Sequence, residues 1–157
     1  MDLFKKAVEM QISENLKSIK ELNSMPNPVW IEPYPIAGRS SVPLTYMLSG
    51  KQIWKTGVYK IFHWNNFDTP MVIGQGNIVD RQQKHRLIFR NKGSSVIYSG
   101  GSSSGCQTAT KMYQYDTDID NWYLSWCELP KNIMEKYEAI LIKELKPKFN
   151  ADFMAGL

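Results

Sequence analysis

GVYKIFH, residues 57–63, and MVIG, residues 71–74, are the two stretches that decide the fold of this chain. Both are rich in β-branched and aromatic residues, and turn-forming Asn, Asp, Thr and Pro residues lie between them. This pattern predicts an antiparallel hairpin with a long connecting loop. A third strand is predicted at residues 122–128, where aromatic and apolar side chains return after an acidic turn.

Four helices are predicted around these strands. The first repeats apolar side chains every three or four positions, and the second follows Asn77, which can act as its N-cap. The last helix ends before Pro147, because proline excludes its predecessor from helical backbone angles. The predicted helices cover residues 2–22, 77–90, 108–115 and 130–146.

Two irregular segments divide the chain. Five prolines between residues 25 and 43 forbid a long helix, so this segment is expected to wrap the surface with Trp30 and Tyr34 as anchors. Residues 91–105 are rich in Gly and Ser and predict a flexible loop. The predicted parts are an N-terminal helical and Pro-rich extension, residues 1–50, and a main domain, residues 51–157.

The bulk composition is that of an ordinary globular domain. The chain has 157 residues, of which 43% are hydrophobic and 22% charged, and its formal net charge of +4 favours an anionic partner such as nucleic acid. No stretch approaches the roughly 20 apolar residues of a membrane helix, and the N-terminus lacks a secretory apolar region. We therefore expect a cytoplasmic protein with no membrane partner. Its two cysteines, Cys106 and Cys127, are expected to be free thiols.

Arg81 and His85 form the first candidate pair for chemistry. They are four positions apart on a predicted helix, which places them on one face, one turn apart. The pair could hold a phosphate from two directions, with the planar fork of arginine as the principal donor. The alternative interpretation is an ordinary exposed polar face.

Glu138 is the second candidate, because its same-face neighbours on the last predicted helix are apolar. A carboxylate in such a stripe is desolvated unless a cation or hydrogen-bond donors meet it. The alternative is a flanking glutamate paired with a lysine such as Lys136 or Lys143. One carboxylate suffices to hold Mg²⁺ when water and a substrate phosphate supply the other ligands.

Tyr59 is the third candidate. A phenol with a pKa near 10 can take a proton from water only if neighbouring positive charge lowers that pKa. Otherwise Tyr59 is a strand aromatic. Calcium-loop, zinc and dinucleotide motifs all fail: residues 116–127 lack the required Gly and Glu, and Gly74-Gln75-Gly76 lacks the rest of a fingerprint.

The joint order of these residues resembles the GIY-YIG nuclease family. Gly57-Val58-Tyr59 stands where that family has its first triplet, and Val72-Ile73-Gly74 where it has the second. Arg81 and His85 match the Arg and His of the following helix. EAILIKELKPKFN, residues 138–150, looks like the metal-binding helix of the family and its terminal Asn. Two departures are visible: Val72 replaces the second tyrosine, and Arg81 lies one residue closer to Gly74 than is usual.

The resemblance implies an α/β (α+β) domain with a central three-stranded antiparallel sheet flanked by helices. It implies Glu138 as the ligand of one Mg²⁺ or Mn²⁺, Tyr59 as general base and Arg81 as a phosphate clamp. His85 would assist Tyr59 or the phosphate, and Asn150 would help to hold the site together. The implied activity is metal-dependent DNA endonuclease cleavage, site-specific and double-stranded as in restriction enzymes.

Alternatives remain within and outside this activity. A phage-type or repair-type nuclease that recognises DNA structure or nicks one strand has the same residues, and Val72 motivates a catalytically silent DNA-binding module. The helix predicted at residues 2–22 motivates a homodimer, since one active site cuts one strand. Five basic residues are expected to contact the phosphates of double-stranded DNA: Lys84, Arg86, Arg90, Lys92 and Lys111.

Overall fold

One antiparallel sheet forms the centre of the computed structural model, which describes residues 2–14, 27–37, 56–94 and 104–150. Side chains are described in these ranges apart from residues 12–14 and 104–107. The strands are β1 (Tyr34–Pro35), β2 (Thr56–His63), β3 (Val72–Asn77) and β4 (Trp122–Glu128). Their order across the sheet is β1-β4-β2-β3, so β2 is central and β3 lies outermost among the described residues.

The predicted hairpin is confirmed. β2 and β3 pair antiparallel from Thr56 opposite Asn77 to Ile61 opposite Val72, which places Tyr59 opposite Gly74. On its other side β2 pairs antiparallel with β4, from Gly57 opposite Glu128 onward. The central strand is buried on both faces, which is why its sequence reads as a nearly continuous apolar run.

The expectation of three strands is wrong, because the Pro-rich segment contributes a fourth. Tyr34 and Pro35 pair antiparallel with β4, and the backbone N–H of Ile36 donates to the Trp122 carbonyl at 3.0 Å. Proline has no N–H and is tolerated at a sheet edge, so this two-residue strand gives little signal in the sequence. Tyr34 is buried and Trp30 is half-buried, in the anchoring positions predicted for them.

The described helices lie in two layers, one on each face of the sheet. α1 and α4 pack with the side chains of Val58 and Ile73, whereas Tyr59 and Val72 face the layer of α2 and α3. This division follows from the alternation of side chains along a strand. The helices are α1 (Leu3–Glu14), α2 (Ile78–Arg90), α3 (Ser104–Tyr115) and α4 (Lys131–Leu145), and 3₁₀ turns cover Ile119–Asn121 and Lys148–Asn150.

The helix predictions hold where the structure describes them, with one correction. The predicted first helix is confirmed over residues 3–14, and its remainder at 15–22 lies outside the described residues. The predicted Gly/Ser loop ends too late, because residues 104 and 105 already belong to α3. α3 as a whole packs on α2. Residues 95–103 of that loop lie outside the described residues.

The N-terminal helix packs on its own chain. Phe4, Ala7 and Val8 are buried in the same apolar cluster as residues of α4, and the Phe4 ring meets the Tyr137 ring edge-on at 5.2 Å. Lys6 adds an ion pair to Glu144 at 3.0 Å. This face of α1 is therefore occupied within the protomer. No helix in the described ranges is both long and apolar enough to cross a membrane.

The start of α2 is fixed by Asn77. Its Oδ1 accepts a hydrogen bond from the backbone N–H of Asp80 at 2.9 Å, as predicted for an N-cap. The helix therefore starts one residue after β3 ends, and Arg81 and His85 take their positions from this start.

We expect Asn77→Ala to lower the free energy of unfolding by about 1 kcal/mol, because the cap hydrogen bond is lost. Chemical denaturation measures the change. Asn77→Asp keeps an acceptor at the cap and serves as the control, with nearly wild-type stability. Equal stability of Asn77→Ala and wild type would contradict the capping assignment.

Candidate active site

Tyr59 and Gly74 meet across the hairpin at the closest approach in the site. The Tyr59 ring lies over the backbone of Gly74, and a Cβ placed on Gly74 would overlap the ring and its hydroxyl. Tyr59 is 4% exposed. Gly74 must therefore be glycine, because any side chain at this position would collide with the Tyr59 ring.

Gly76 brings Arg81 to the same end of β3. Its φ of 124° lies in the region that favours glycine. A Cβ placed there would lie 3.3 Å from Arg81 Nε, so the half-buried guanidinium side chain folds back over the strand. Arg81 belongs to the first turn of α2, and the Asn77 cap sets its distance from β3.

Glu138 approaches from the other face of the sheet, on α4. Gln75 Nε2 donates a hydrogen bond to its carboxylate at 3.4 Å. Burial raises the pKa of Glu138 to about 7, against the lowering effects of Gln75 and Arg81, and the charge of Glu135 raises it further. The carboxylate is thus half-buried and incompletely compensated.

Asn150 fastens the outer edge of β3. Its side-chain Oδ1 accepts from the Ile73 backbone N–H at 2.9 Å, and its Nδ2 donates to the Ile73 carbonyl at 3.0 Å. The amide thus takes the place of a neighbouring strand for one residue of β3. Asn150 lies beside Gly74 in this arrangement and fixes the backbone on which the Tyr59 ring rests.

The pKa of Tyr59 depends on the charges of two other residues of the site, Arg81 and Glu138. Burial raises the pKa of the phenol strongly, the Arg81 charge lowers it, and the Glu138 charge raises it. The sequence-derived condition for a base, a net lowering of this pKa, is therefore not met by the chain on its own. At neutral pH the Tyr59 hydroxyl keeps its proton.

His85 lies beneath this group, one turn along α2 from Arg81. It is 1% exposed, which rules out the alternative of an exposed polar face. Its ring meets the Tyr59 ring at a centroid distance of 6.1 Å and an angle of 69°. Burial lowers the pKa of His85 to about 4, and the charges of Arg81 and Lys84 add to the effect, so the imidazole is neutral at pH 7.

At this end of β3, Glu138 is the residue whose carboxylate oxygens could hold a hard cation. No cluster of three or more His, Cys, Asp or Glu side chains is present in the described parts of the chain. Glu138 offers a half-buried carboxylate with a raised pKa, and Gln75 orients it. Mg²⁺ and Mn²⁺ favour such oxygen ligands, and water or phosphate completes the Mg²⁺ shell.

The five basic residues predicted to contact DNA have unlike environments. Arg90 and Lys92 are exposed, and Lys84 lies 3.3 Å from Asp80 in an i,i+4 ion pair. Lys111 is half-buried on α3. Arg86 is also half-buried rather than exposed as expected, because its Nη1 donates to the Ile36 carbonyl at 3.3 Å and ties α2 to the chain after β1.

Three residues with a role in this geometry were not singled out by the sequence. Gln75 orients Glu138, Gly76 accommodates Arg81, and Gln82 hydrogen-bonds His85. Gln75 and Gly76 belong to the Gly-Gln-Gly stretch at residues 74–76, which in sequence matches only part of a dinucleotide fingerprint. Gln82 stands three positions before His85, and this i,i+3 spacing was the available signal.

We expect Glu138→Gln to raise the free energy of unfolding by about 1–3 kcal/mol at pH 8 and to leave it unchanged at pH 4. A carboxyl whose folded pKa lies above 4.5 makes the protein less stable as pH rises from about 4.5 to 7, and the amide removes that penalty. Thermal unfolding across pH measures the effect. Glu9→Gln, which removes an exposed carboxylate from α1, is the control. A less stable Glu138→Gln protein at pH 8 would show that a cation already compensates the carboxylate.

We expect Gly74→Ala to destabilise the protein by about 1–3 kcal/mol, because the added methyl group forces the Tyr59 ring to move. In a Tyr59→Ala background the same substitution should cost much less. Urea denaturation of the two single variants and the double variant gives the coupling energy. Equal costs in both backgrounds would contradict the contact.

Comparison of the chain with protein-family models, with curated proteins and with solved structures finds no match.

Proposed function

We propose that this chain is a divalent-metal-dependent DNA endonuclease that hydrolyses phosphodiester bonds. The observation that carries the proposal is that Tyr59, Arg81 and Glu138 contact three consecutive residues of β3, at positions 74, 76 and 75, with Glu138 on the face opposite to Tyr59. The charges of Arg81 and Glu138 both act on the pKa of Tyr59. The site thus combines a phenol, a guanidinium and a half-buried carboxylate. The guanidinium can bind an anionic substrate such as a phosphate, and the carboxylate can bind a metal cation.

Arg81 supplies the fixed positive charge. Its side chain lies over Gly76, where a Cβ would be 3.3 Å from Arg81 Nε. A guanidinium offers two parallel N–H donors to a phosphate and keeps its charge at any physiological pH. In the proposed reaction Arg81 holds the scissile phosphate at the end of β3 and stabilises the charge that develops on it.

Glu138 with Gln75 is the proposed holder of Mg²⁺ or Mn²⁺. The hydrogen bond from Gln75 reaches Oε1 of the carboxylate. A bound cation would polarise the phosphate and stabilise the leaving oxygen. The raised pKa of Glu138 supports this role, because a cation relieves the desolvation that this carboxylate suffers by itself.

Tyr59 is the proposed group for handling the proton of the attacking water. Its pKa is raised by burial and by Glu138 and lowered by Arg81. Neutralising the charge of Glu138 removes one of the two effects that oppose its ionisation and leaves that of Arg81. In the proposed reaction the phenol therefore loses its proton only when metal and phosphate are bound.

Val72 does not contribute to the proposed chemistry. It is 2% exposed and packs in the apolar cluster that also contains Ile61 and Trp122. The position of the second tyrosine of the GIY-YIG nucleases is therefore filled by core packing here. The proposed mechanism uses a single phenol, that of Tyr59.

The proposed substrate is double-stranded DNA, cut at specific sites as by restriction enzymes. Among the five basic residues expected to contact DNA, Arg90 at the end of α2 and Lys92 just after it are exposed. Cutting both strands with one site per chain calls for a homodimer or for two successive nicks. Light scattering with and without DNA distinguishes these, and a monomer in both conditions would leave nicking.

A catalytically silent DNA-binding module is the second candidate. The strongly raised pKa of Tyr59 favours it, because a phenol that never ionises cannot act as a base. Such a module binds DNA equally well in EDTA and in Mg²⁺ and leaves it intact. A phage-type or repair-type nuclease would instead need metal and give nicks or an unresolved smear.

The cleavage of long unmethylated DNA tests the proposal. We expect discrete fragments in Mg²⁺ and none in EDTA. Glu138→Ala should lower the rate by roughly 10³-fold or more, and Arg81→Ala and Tyr59→Phe each by roughly 10²-fold or more. Gel electrophoresis of timed samples measures all of these rates.

Matched controls separate catalysis from folding. Glu135→Ala removes an exposed carboxylate from the same helix as Glu138, and Gln83→Ala removes an exposed polar side chain from the same helix as Arg81. Both should cut at nearly the wild-type rate under saturating enzyme. Binding without cleavage by the wild-type protein, in every metal and with every form of DNA, would overturn the nuclease proposal and leave the silent module.

A further inference from the structure

Two neighbouring side chains on the inner face of α2 each have a buried polar atom without a hydrogen-bond partner among the described residues. These atoms are Gln82 Nε2 and His85 Nε2. Gln82 is fully buried and His85 is 1% exposed. Because buried polar groups in folded proteins nearly always have a partner, two adjacent exceptions beside a candidate active site call for an explanation.

The one hydrogen bond between these side chains fixes the chemistry of the imidazole. His85 Nδ1 lies 2.9 Å from Gln82 Oε1. An amide oxygen only accepts, so in a neutral imidazole the proton of this bond must be on Nδ1. His85 Nε2 then carries a lone pair and no proton, which is the less common tautomer of a free histidine in water.

The unprotonated nitrogen belongs to the ring that contacts Tyr59. The two rings meet edge to face, with centroids 6.1 Å apart. Tyr59 is the residue whose hydroxyl must lose a proton in the proposed reaction, and its side chain is 4% exposed. His85 Nε2 has no hydrogen-bond partner in the described residues, the Tyr59 hydroxyl included. An acceptor on the ring that contacts the phenol would supply this step once the two groups come within hydrogen-bond distance.

We propose that Gln82 is a positioning residue that holds His85 as the Nδ1–H tautomer, so that His85 Nε2 is the proton acceptor for Tyr59. This inference rests on the proposed nuclease function. As the water oxygen forms its bond to phosphorus, its proton passes to the Tyr59 oxygen and the Tyr59 proton passes to His85 Nε2. The bond from phosphorus to the leaving oxygen breaks, the leaving oxygen takes a proton from solvent, and His85 returns its extra proton to solvent.

The charges around His85 agree with a transient role. Arg81 and Lys84 both oppose a positive imidazole, and Asp80 pairs with Lys84 at 3.3 Å. A phosphate bound at Arg81 offsets the nearer of these charges during the reaction. Between reactions, the same charges and the burial of the ring return His85 to the neutral state in which it can accept a proton again.

The tautomer is directly measurable by NMR in protein labelled with ¹⁵N at histidine. The chain has two histidines, and His63→Gln assigns the spectrum. At pH 7.5 we expect the His85 signals of an Nδ1–H tautomer. Gln82→Met, of similar volume and without an acceptor oxygen, should shift them to the Nε2–H tautomer. Gln82→Glu keeps the acceptor and should retain the proton on Nδ1.

Kinetics of the same variants test the consequence. Gln82→Met should lower kcat by roughly 10-fold to 100-fold with KM nearly unchanged, and Gln82→Glu should recover most of that loss. Melting curves show whether each variant is folded. A loss in Gln82→Met that Gln82→Glu does not recover would indicate a packing role and overturn the proposal.

The remaining outcomes separate this inference from the nuclease proposal. An Nε2–H tautomer in the wild-type protein overturns the inference whether or not the protein cuts DNA. Wild-type cleavage that Gln82→Met leaves unchanged, despite a changed tautomer, also overturns it. If the wild-type protein cuts no DNA while the Nδ1–H tautomer depends on Gln82, the nuclease proposal fails and the positioning of His85 by Gln82 is supported.

Discussion

The crossing of the Tyr59 ring over the backbone of Gly74 is the contact on which the candidate site depends. It requires β2 and β3 to pair in one register, because a shift by one residue would move Tyr59 to the opposite face of the sheet. It requires glycine at position 74. Asn150 secures the same strand from its outer edge through Ile73, so three separate features of the sequence converge on the position of one phenol.

The site is assembled at some expense of stability. Glu138 favours its protonated form in the folded protein, and His85 favours its neutral form. The first makes folding less favourable as pH rises from about 4.5 to 7, and the second makes it more favourable as pH rises from about 4 to 6.5. The two effects on stability therefore have opposite signs. Such uncompensated groups in one place are typical of sites that act on a ligand.

The sequence was sufficient to predict helices and strands that have strong periodicity or a residue that marks one of their ends. The hairpin, the helix that follows Asn77 and the helix that ends before Pro147 were all predicted, because alternation, capping and proline act locally. β1 was missed, since a two-residue strand containing proline exists only through its pairing with β4. The early start of α3 was missed because serine and glycine at residues 104 and 105 have poor helix propensity.

In the candidate site, too, some residues could be predicted from the local sequence and others could not. Tyr59, Arg81 and Glu138 were selected from residue type and spacing, and the structure brings them to one end of β3. The role of Gln75 depends on a contact with Glu138, 63 positions away in the sequence, so residue type alone does not reveal it. Gln82 contacts His85 three positions away on the same helix, and its role depends on the burial of both side chains. The burial of Arg86 has the same origin, because its partner carbonyl lies in the segment after β1.

The hydrogen bonds from Asn150 to Ile73 join residues 77 positions apart, which has a consequence for the order of events during synthesis. A ribosome completes the β2–β3 hairpin long before it adds residue 150, so the outer edge of β3 stays open until the last turns of α4 have formed. The proposed catalytic centre is therefore completed late. A nascent chain that lacks residue 150 would hold its tyrosine and arginine without this support for the strand beneath them.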